Sequence, residues 1–472
     1  MSSQERVSEL SGLLRRNQIS RRDFVQGLLV LGFSTAGVAA LLEACSTGGG
    51  SVAGASPSPS AQVNTFGSGS TVISLWDGLG GPDGDAFNTM LKAYAQANPD
   101  VQIKREVLDW GVFYQKVPTA VLAGSPPDLI VNDAYGMPPF ASRGMPQPIG
   151  DRVLGAAIPK NDFTADNLKM GTWQGTIYSI PLWNPIIGFW MNNDLVRKAG
   201  LDPTKPPATG DEFASWATRL TLDSSGKRAD QAGFDPKNVQ QYGVSMGWFF
   251  HSQLSSLWQF GGDVTNQQHS SCTLSTPESL ASVNYWVDLV KRGVHVPIDN
   301  PGVPATGPLY QAERLAMVVE GSWWLGFFTN TNKQLLPPKT TMWGLPQWGP
   351  KQKAVWYTAH LMSIPKGIGE KRTAAAAKLV SFLADASGTG APLAGHLPAR
   401  ISQQANPDVA SSWWLKPLSQ EQSQYGRLEW YGPRYNQINT DYVAAWDTAL
   451  TLQGSAQSAL QNAANVINPL LA

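Results

Sequence analysis

The sequence has little charge and almost no cysteine. Charged residues make up 15% of its 472 residues, and only two cysteines are present. Lys plus Arg equals Asp plus Glu at 35 each, so the chain carries no field of one sign that would attract nucleic acid or an anionic membrane. A nucleic-acid-binding protein is therefore not expected.

The sequence also lacks patterns that mark common metal centres. It has no His-Glu-x-x-His pair and no Cys-rich metal spacing. None of the histidines lies at ligand spacing from another; they are His251, His269, His295, His360 and His396. No cofactor or metal is expected. A secreted glycoside hydrolase with two carboxylates stays open as an alternative, although paired acids are easy to find among 35.

Aromatic residues, by contrast, are abundant. The chain has 18 Trp, 12 Tyr and 16 Phe. Trp is a costly core residue because its indole N–H needs a partner. Two interpretations follow: a large core that packs many Trp, or a cleft in which several Trp bind flat, hydroxyl-rich ligands. The chain is too long for one hydrophobic core, so two or more domains are expected.

The first 45 residues have the pattern of an export signal. Arg21 and Arg22 precede an uncharged run over residues 24–42, which is typical of a twin-arginine (Tat) signal. The run ends at Leu42-Glu43-Ala44-Cys45, which resembles a lipobox whose Cys45 is lipidated and becomes the mature N-terminus. A single uncleaved transmembrane anchor is the alternative. Either way, the folded part would lie outside the cytoplasmic membrane, and a lipidated Cys45 would anchor it to the outer face.

Residues 46–70 carry no charge and consist mostly of Ser, Gly, Ala and Pro, which predicts a flexible tether. With Cys45 lipidated, Cys272 would be left without a partner for an internal disulfide.

Strand and helix patterns alternate after the tether. Strands are predicted at residues 71–76, 101–107 and 128–131, with helices between them. This alternation predicts parallel βαβ units, in which ligands bind beyond the carboxyl ends of the strands. Trp76-Asp77 and Asn132-Asp133 lie at such ends and are the first candidates for a site. Asp77 could equally be a turn or N-cap acid.

Later segments have strong helical patterns. A capping-box pattern at residues 275–278 opens a helix with Pro277 in its first turn, and residues 373–384 form another helix. Trp216, Trp286 and Trp446 lie in helical patterns and are predicted to be core residues.

Five segments, in this order, resemble the maltose-type family of extracellular solute-binding proteins. They are residues 122–130, 175–181, 190–201, 316–323 and 361–367. The fourth contains Gly321-Ser322-Trp323, which matches a corner of the family's pattern. The resemblance covers about residues 70 to 460. Trp183-Asn184 and residues 357–360 depart from the pattern, which leaves the identity of the sugar open.

The resemblance implies an α/β, two-lobed periplasmic-binding-protein fold of type II, in which each lobe is a mixed, mostly parallel sheet flanked by helices. The first lobe would comprise residues 71–181 and 349–396, and the second residues 186–343 and 401–472. Hinge crossings would lie near residues 182–185, 344–348 and 397–400.

The resemblance also implies a cleft between the lobes, in which aromatic rings bury the C–H face of a sugar and polar groups pair with its hydroxyls. Trp323 is the strongest candidate for a stacking platform, whereas Trp324 could be a core residue and Arg400 a surface residue. The candidate ligand-binding residues are Trp76, Asp77, Asn132, Asp133, Trp183, Asn184, Trp248, Phe249, His251, Trp323, Trp324, Trp356, His360, Arg400 and Tyr435.

The predicted function is that of an extracytoplasmic receptor of an ABC importer, which binds a mono- or oligosaccharide and delivers it to permease subunits in the membrane. We expect a monomer without enzymatic activity. A polyol or a glycerol-phosphate ester is the alternative ligand. A phosphate would call for clustered Arg or a helix N-terminus at the cleft, and no Arg cluster is evident in the sequence.

Overall fold

The structure is a computed structural model and describes residues 62–247, 250–298, 306–430 and 432–471. The predicted signal, Cys45 and most of the predicted tether lie outside these residues. The last part of the tether prediction is wrong, because Gln62–Phe66 is an edge strand that pairs antiparallel with Val101–Val107. Within the described part of the chain, no helix is long and apolar enough to cross a membrane.

The strands are numbered in chain order. They are β1 Gln62–Phe66, β2 Thr71–Asp77, β3 Val101–Val107, β4 Leu129–Asp133, β5 Thr172–Trp173, β6 Thr176–Ile177, β7 Ser179–Asn184, β8 Ile187–Asn192, β9 Leu222–Asp223, β10 Val239–Met246, β11 Leu315–Gly321, β12 Thr340–Trp343, β13 Val355–Trp356, β14 His360–Ser363, β15 Leu397–Pro398 and β16 Gly426–Arg427.

The α-helices are numbered in the same way, and short 3-10 turns are left out. They are α1 Gly81–Ala97, α2 Trp110–Leu122, α3 Met137–Ser142, α4 Gly150–Val153, α5 Ala165–Met170, α6 Asn193–Lys198, α7 Gly210–Leu220, α8 Phe250–Phe260, α9 Pro277–Lys291, α10 Thr306–Gln311, α11 Glu370–Asp385, α12 Ser387–Ala394, α13 Ile401–Gln404, α14 Pro407–Ala410, α15 Leu415–Tyr425, α16 Tyr435–Leu450 and α17 Ala456–Leu471.

Two sheets organise the described chain. The first has the strand order β1-β3-β2-β4-β14-β7-β15, and with its helices it is called the first lobe. The second has the order β12-β8-β11-β10-β9 and belongs to the second lobe. Within these two sheets the parallel pairs are β3-β2-β4 and β10-β11, and the other neighbours are antiparallel. A separate two-stranded sheet pairs β13 with β16 in parallel. The predicted mixed α/β fold is confirmed, but the expectation of mostly parallel sheets is wrong, because the strands β7, β8 and β14 near the crossing pair antiparallel with their neighbours.

The local predictions hold where a pattern is contiguous. The three predicted strands correspond to β2, β3 and β4, and α1 and α2 lie between them. Helix α9 begins at Pro277, but its N-cap is Thr276 rather than Ser275. The Thr276 hydroxyl accepts a hydrogen bond from the Ser279 N–H, which satisfies one of the free donors of the first turn.

The chain crosses between the lobes at positions that differ in part from the predicted ones. β7 leads into β8 through Pro185, beside the first predicted hinge. Residues 349–356, expected in the first lobe, contact the second, where the Trp356 N–H donates to Ser255 Oγ of α8 at 2.9 Å. Residues 401–410, expected in the second lobe, form α13 and α14, which pack against β15 and α12 of the first.

The apolar core runs without a break through both lobes. One cluster of buried side chains includes Ile73 of β2 and Ile467 of α17. Many of the Trp side chains are therefore core residues. Trp286 and Trp446 are confirmed as such, whereas Trp216 is half-buried and packs against the core. The most deeply buried indoles are Trp183, Trp190, Trp258, Trp286, Trp356 and Trp446.

Candidate functional site

Aromatic side chains from both lobes meet where the lobes touch. Tyr135 follows β4 in the first lobe, and its ring stacks on Tyr435 at the start of α16 in the second, with centroids 5.0 Å apart. Phe250, the first residue of α8, lies 6.2 Å from each of these rings. We call these three side chains the aromatic boundary. It is formed only when the two lobes are together.

Three more rings from the second lobe adjoin the aromatic boundary. The His251 ring lies 3.7 Å from Trp356 and 6.0 Å from Trp323, and it is 6.5 Å from Tyr135 across the boundary. Trp323 follows β11 through Gly321-Ser322 and is partly exposed, whereas Trp356 is buried. The Gly-Ser-Trp corner therefore brings Trp323 to the boundary, where its indole edge meets Trp356 at 6.4 Å.

Three buried carboxyl groups accompany these rings. The Tyr135 hydroxyl donates to Asp133 Oδ2, and the Tyr435 hydroxyl donates to Glu429 Oε2, each at 2.6 Å. Burial raises the pKa of Asp133 to about 7 and that of Glu429 to about 8. Burial also raises the pKa of Glu320, at the end of β11, to about 7. Near neutral pH these groups can therefore accept or donate hydrogen bonds.

A cavity of about 430 Å³ opens beside the aromatic boundary and has walls from both lobes. Met170 and Trp173 line it on the first-lobe side, and Arg427, Glu429 and Trp430 on the second-lobe side. Its volume falls in the range of ~300–1,000 Å³ that is typical of small-molecule sites. Because Glu429 lines the cavity and also bonds Tyr435, the cavity and the aromatic boundary form one candidate site.

His360 and Trp183 lie behind this site on the first-lobe side. His360 Nε2 is 3.4 Å from Asp133 Oδ1, and the ring of Trp110 stacks on the His360 ring at 6.5 Å. Burial lowers the pKa of His360 well below its usual value, and nearby His396 adds to the shift. Trp183 is fully buried and packs against both histidines, so it supports the site from within the first lobe.

Trp76 and Asp77 lie away from the candidate site. Trp76 packs against the second, smaller core of the first lobe, with the Lys116 ammonium 4.2 Å from its ring. Asp77 is fully buried, and its two oxygens accept from Arg105 at 2.7 and 2.8 Å and from the Leu79 N–H at 2.9 Å. These contacts agree with the alternative interpretation of Asp77 as a turn acid.

Asn132 and Asn184 hold backbone within the first lobe. Asn132 donates to the carbonyl of Asp133 and accepts from the Ser363 hydroxyl. Asn184, at the end of β7, exchanges amide hydrogen bonds with Asn167 and donates to the Thr358 carbonyl at 2.8 Å. Asn184 therefore ties together the strands that lead to the crossing.

Arg400 is neither a surface residue nor part of the candidate site. It is 5% exposed and forms ion pairs with Asp162 at 2.7 Å and Asp385 at 2.6 Å. Trp324 packs inside the second lobe, where it stacks on Phe327 at 5.0 Å, which agrees with the core alternative. The predicted residues Trp248 and Phe249 lie outside the described residues.

Several site residues were not predicted from the sequence. Tyr135 lies two residues beyond Asp133, in the turn that follows β4, so its position just after a strand end was the one local signal for it. Glu429, Trp173 and Trp430 follow no contiguous pattern, and only the approach of the two lobes brings them together.

One segment has the sequence pattern of a hydrolase nucleophile, but its serine lies inside a strand. Residues 243–247 read Gly-x-Ser-x-Gly, the form of a nucleophile elbow. An elbow needs its serine exposed on a sharp turn between strand and helix. Ser245 is instead buried within β10, where its hydroxyl shares a 2.8 Å hydrogen bond with Thr306. This segment is therefore not a nucleophile elbow.

Two curated relatives match part of the chain. A putative binding protein of Brucella abortus (strain 2308) is 25% identical over 214 residues, which is 45% of this chain and 48% of that protein. The sn-glycerol-3-phosphate-binding periplasmic protein of Shigella dysenteriae is 23% identical over 199 residues, which is 41% of this chain and 42% of that protein. The chain thus spans about half the length of the curated relatives it matches, or less.

Solved structures match over most of the chain. The GacH receptor of Streptomyces glaucescens, solved unliganded and with acarbose, has a TM-score of 0.74 at 17% identity and covers 85% of this chain and 98% of its own. An ABC transporter solute-binding protein from Thermotoga lettingae, bound with α-D-tagatose, has a TM-score of 0.72 at 20% identity and covers 85% and 100%. At these identities the likeness shows the type II periplasmic-binding-protein fold.

A match to a family model identifies the family of this chain, which the pairwise matches above do not. The model of the bacterial extracellular solute-binding proteins matches residues 80–390, which is more than half of the chain. The matched range contains the whole second sheet, the strands β3, β4, β7 and β14 of the first, and the Gly-Ser-Trp corner. The chain therefore belongs to the family of bacterial extracellular solute-binding proteins.

Proposed function

We propose that the protein is the extracytoplasmic receptor of an ABC importer and that it binds a carbohydrate between its two lobes. Its family and its fold support this function, since two proteins of the same fold are solved with acarbose and with tagatose, both polyhydroxylated compounds. Within the chain, the observation that carries the proposal is the aromatic boundary with its buried carboxyl groups.

The chemistry of this boundary suits a sugar. A pyranose or furanose presents C–H faces, which aromatic rings bury, and hydroxyls, which need hydrogen-bond partners. Trp323, Tyr135 and Tyr435 offer the rings, and Asp133 and Glu429 offer oxygens beside them. A buried polar group that is left unpaired costs ~1–3 kcal/mol, so these carboxyls would select for ligands that have hydroxyls in matching places.

Two half-sites explain how binding would be transmitted to a permease. Each lobe makes part of the contacts, so a ligand favours the form in which the lobes are together and shifts the population toward it. A micromolar receptor requires only about 8 kcal/mol, which a few stacked rings and polar contacts can supply. Permease subunits in the membrane would then recognise the form with both lobes closed on the ligand.

Export and attachment belong to the same proposal. The family is extracellular, and the twin-arginine pair and Cys45 would export the chain and anchor it by a lipid to the outer face of the membrane. A lipidated monomer tethered by the uncharged segment that follows Cys45 would hold the binding lobes near the permease.

A glycerol-phosphate ester is the second candidate, because one relative binds such a ligand. The candidate site is less suited to it. Asp133, Glu320 and Glu429 would face a dianionic phosphate, and each of them that is ionised would repel it, since like charges placed together cost several kcal/mol. Arg427 lines the cavity, but its guanidinium is paired with Asp263.

The test is a titration of the purified mature protein with sugars, polyols and glycerol phosphate, followed by Trp fluorescence and melting temperature. A true ligand should raise the melting temperature by mass action. Trp323→Ala should remove the signal, whereas Trp216→Phe, a half-buried Trp on α7, should keep it. The proposal fails if no sugar binds, or if a glycoside is consumed rather than held.

A further inference from the structure

We propose that Asp83, His360 and His396 form a binding site for a divalent transition-metal ion, best suited to Zn²⁺, beside the lobe boundary. The three residues come from α1, from β14 and from the segment after α12. Their ligand atoms lie within 4.8 Å of one another. Both histidines are buried, and Asp83 is partly exposed, which leaves an entry path. This site goes beyond the proposed function, which needs no metal.

The distances suit tetrahedral coordination. Asp83 Oδ2 lies 3.2 Å from His396 Nε2. Bonds of ~2.0–2.2 Å to zinc at a tetrahedral angle place two ligand atoms about 3.3–3.5 Å apart, so this pair already has nearly the length of one edge. The ligand atom of His360 lies within 4.8 Å of these two, so its side chain would have to move closer for all three to bind one ion.

Each of the three side chains has a buried polar atom without a hydrogen bond, apart from the 3.2 Å approach of His396 Nε2 to Asp83 Oδ2. Among the described residues, no hydrogen bond is made by Asp83 Oδ1, His360 Nδ1 or His396 Nε2, although all three atoms are buried. Buried polar atoms are nearly always paired, because leaving them unpaired costs stability. A single cation would satisfy all three residues at once.

The remaining nitrogen of each histidine is held as in known metal sites. His360 Nε2 lies 3.4 Å from Asp133 Oδ1, and His396 Nδ1 lies 3.0 Å from Ser322 Oγ. Metal-binding histidines commonly use the second ring nitrogen in this way, which fixes the ring and aims the other nitrogen at the ion. Ser322 follows β11 of the second lobe, so the site also depends on the contact between the lobes.

The donor set narrows the choice of ion. Two imidazoles and one carboxylate suit Zn²⁺ and its transition-metal neighbours, whereas Ca²⁺ and Mg²⁺ prefer oxygen ligands alone. Three protein ligands leave a fourth position on the ion for water or for an oxygen of a bound molecule.

The experiment is calorimetric titration of the EDTA-treated mature protein with ZnCl₂, with CaCl₂ as the control salt and without any sugar. We expect one Zn²⁺ per chain and a raised melting temperature. Asp83→Ala should lose at least about 100-fold in affinity, and Ser322→Ala, which removes the support of His396 and a 3.4 Å bond from the Ile186 N–H, about 10- to 100-fold. Asp85→Ala removes an exposed carboxylate from the same helix and should bind like wild type.

Two outcomes would overturn the proposal: a folded wild-type protein that binds no Zn²⁺, or an Asp83→Ala variant that binds it as tightly as wild type. Circular dichroism of each variant shows whether the fold survives. Because no sugar is present, failure here leaves the carbohydrate proposal intact, and failure of the sugar titration leaves this one intact.

Discussion

The ring of Tyr135 stacks on the ring of Tyr435 across the lobe boundary, with 5.0 Å between centroids and 19° between planes. Each hydroxyl donates to a buried acid of its own lobe, Asp133 in the first and Glu429 in the second. Both lobes therefore present the same unit, a tyrosine bonded to a carboxyl group. A ligand that enters between them meets matching chemistry on both sides.

Loss of the Tyr135 ring should weaken sugar binding more than loss of its hydroxyl. We expect Tyr135→Ala to reduce affinity about 10- to 100-fold, which is about 1.4–2.8 kcal/mol. Tyr135→Phe keeps the ring and removes hydroxyl contacts to Asp133 and Tyr114 that lie within the first lobe, so the affinity should fall less, by about 0.5–1.5 kcal/mol. Calorimetric titration with the best sugar measures both. Tyr285→Phe, whose hydroxyl bonds Gly210 inside the second lobe, is the control. Equal affinity of Tyr135→Ala and wild type would remove Tyr135 from the site.

Gly326 controls how closely the lobes approach. A Cβ at this position would lie 1.8 Å from Pro82 Cγ of the first lobe, although the backbone at φ −66° and ψ −25° is ordinary for alanine. Gly326→Ala should therefore hold the lobes apart without straining the second lobe. X-ray scattering of the ligand-saturated variant should give a larger radius of gyration than wild type, with weaker binding.

Gly155→Ala is the matched control, since a Cβ there meets nothing within 4 Å. If the ligand-saturated Gly326→Ala variant has the same radius of gyration as wild type, the contact with Pro82 does not limit closure of the lobes.

The pH dependence of stability should report the burial of Glu429. Burial raises its pKa from 4.5 to about 8, so between these values the folded protein holds a proton that the unfolded chain has released. The stability that this group contributes is full below pH 4.5 and is lost as the pH rises toward 8. Glu429→Gln resembles the protonated form and removes this loss.

Melting temperatures of Glu429→Gln and wild type, taken at unit steps from pH 5 to pH 8, check this prediction. The melting temperature of the variant should rise relative to that of wild type as the pH rises, while the pH dependence from Asp133 and Glu320, whose pKa values are raised to about 7, remains in both proteins. Parallel curves would mean that Glu429 is not buried in solution.

Asp77 should matter for folding and not for binding. Asp77→Asn breaks the buried ion pair and leaves the Arg105 charge uncompensated, which costs ~3–5 kcal/mol. Urea unfolding should show this loss, and sugar affinity of the remaining folded protein should match wild type. A variant that is as stable as wild type but binds the sugar more weakly would show that Asp77 takes part in binding.

Asp77 and Asp133 show what the sequence alone could and could not predict. Both end a buried parallel strand, so the same local argument selected both. They differ because β3 places Arg105 against Asp77, whereas Tyr135 and the second lobe surround Asp133. Which partner a strand end meets depends on its neighbours in the sheet and on the approach of the other lobe, and local patterns contain neither.

Other successes and failures have similar causes. β3 was predicted with its observed bounds, because its alternation and flanking turns are local. The residues of β1 were predicted to be tether, because an edge strand needs only backbone partners and the polar composition of β1 does not indicate a strand. His360 was a predicted site residue, but its grouping with Asp83 and His396 was not predicted, because linear spacing cannot reveal residues that three separate segments bring together.

The core that passes without interruption from one sheet to the other determines how the molecule should come apart. Neither lobe can unfold without exposing apolar side chains on which the other is packed, so denaturation should be cooperative across both. A calorimetric scan would then show one endotherm in place of two, and an occupant of the cleft would displace that entire peak. Two resolved peaks would mean that the lobes are thermodynamically separate bodies.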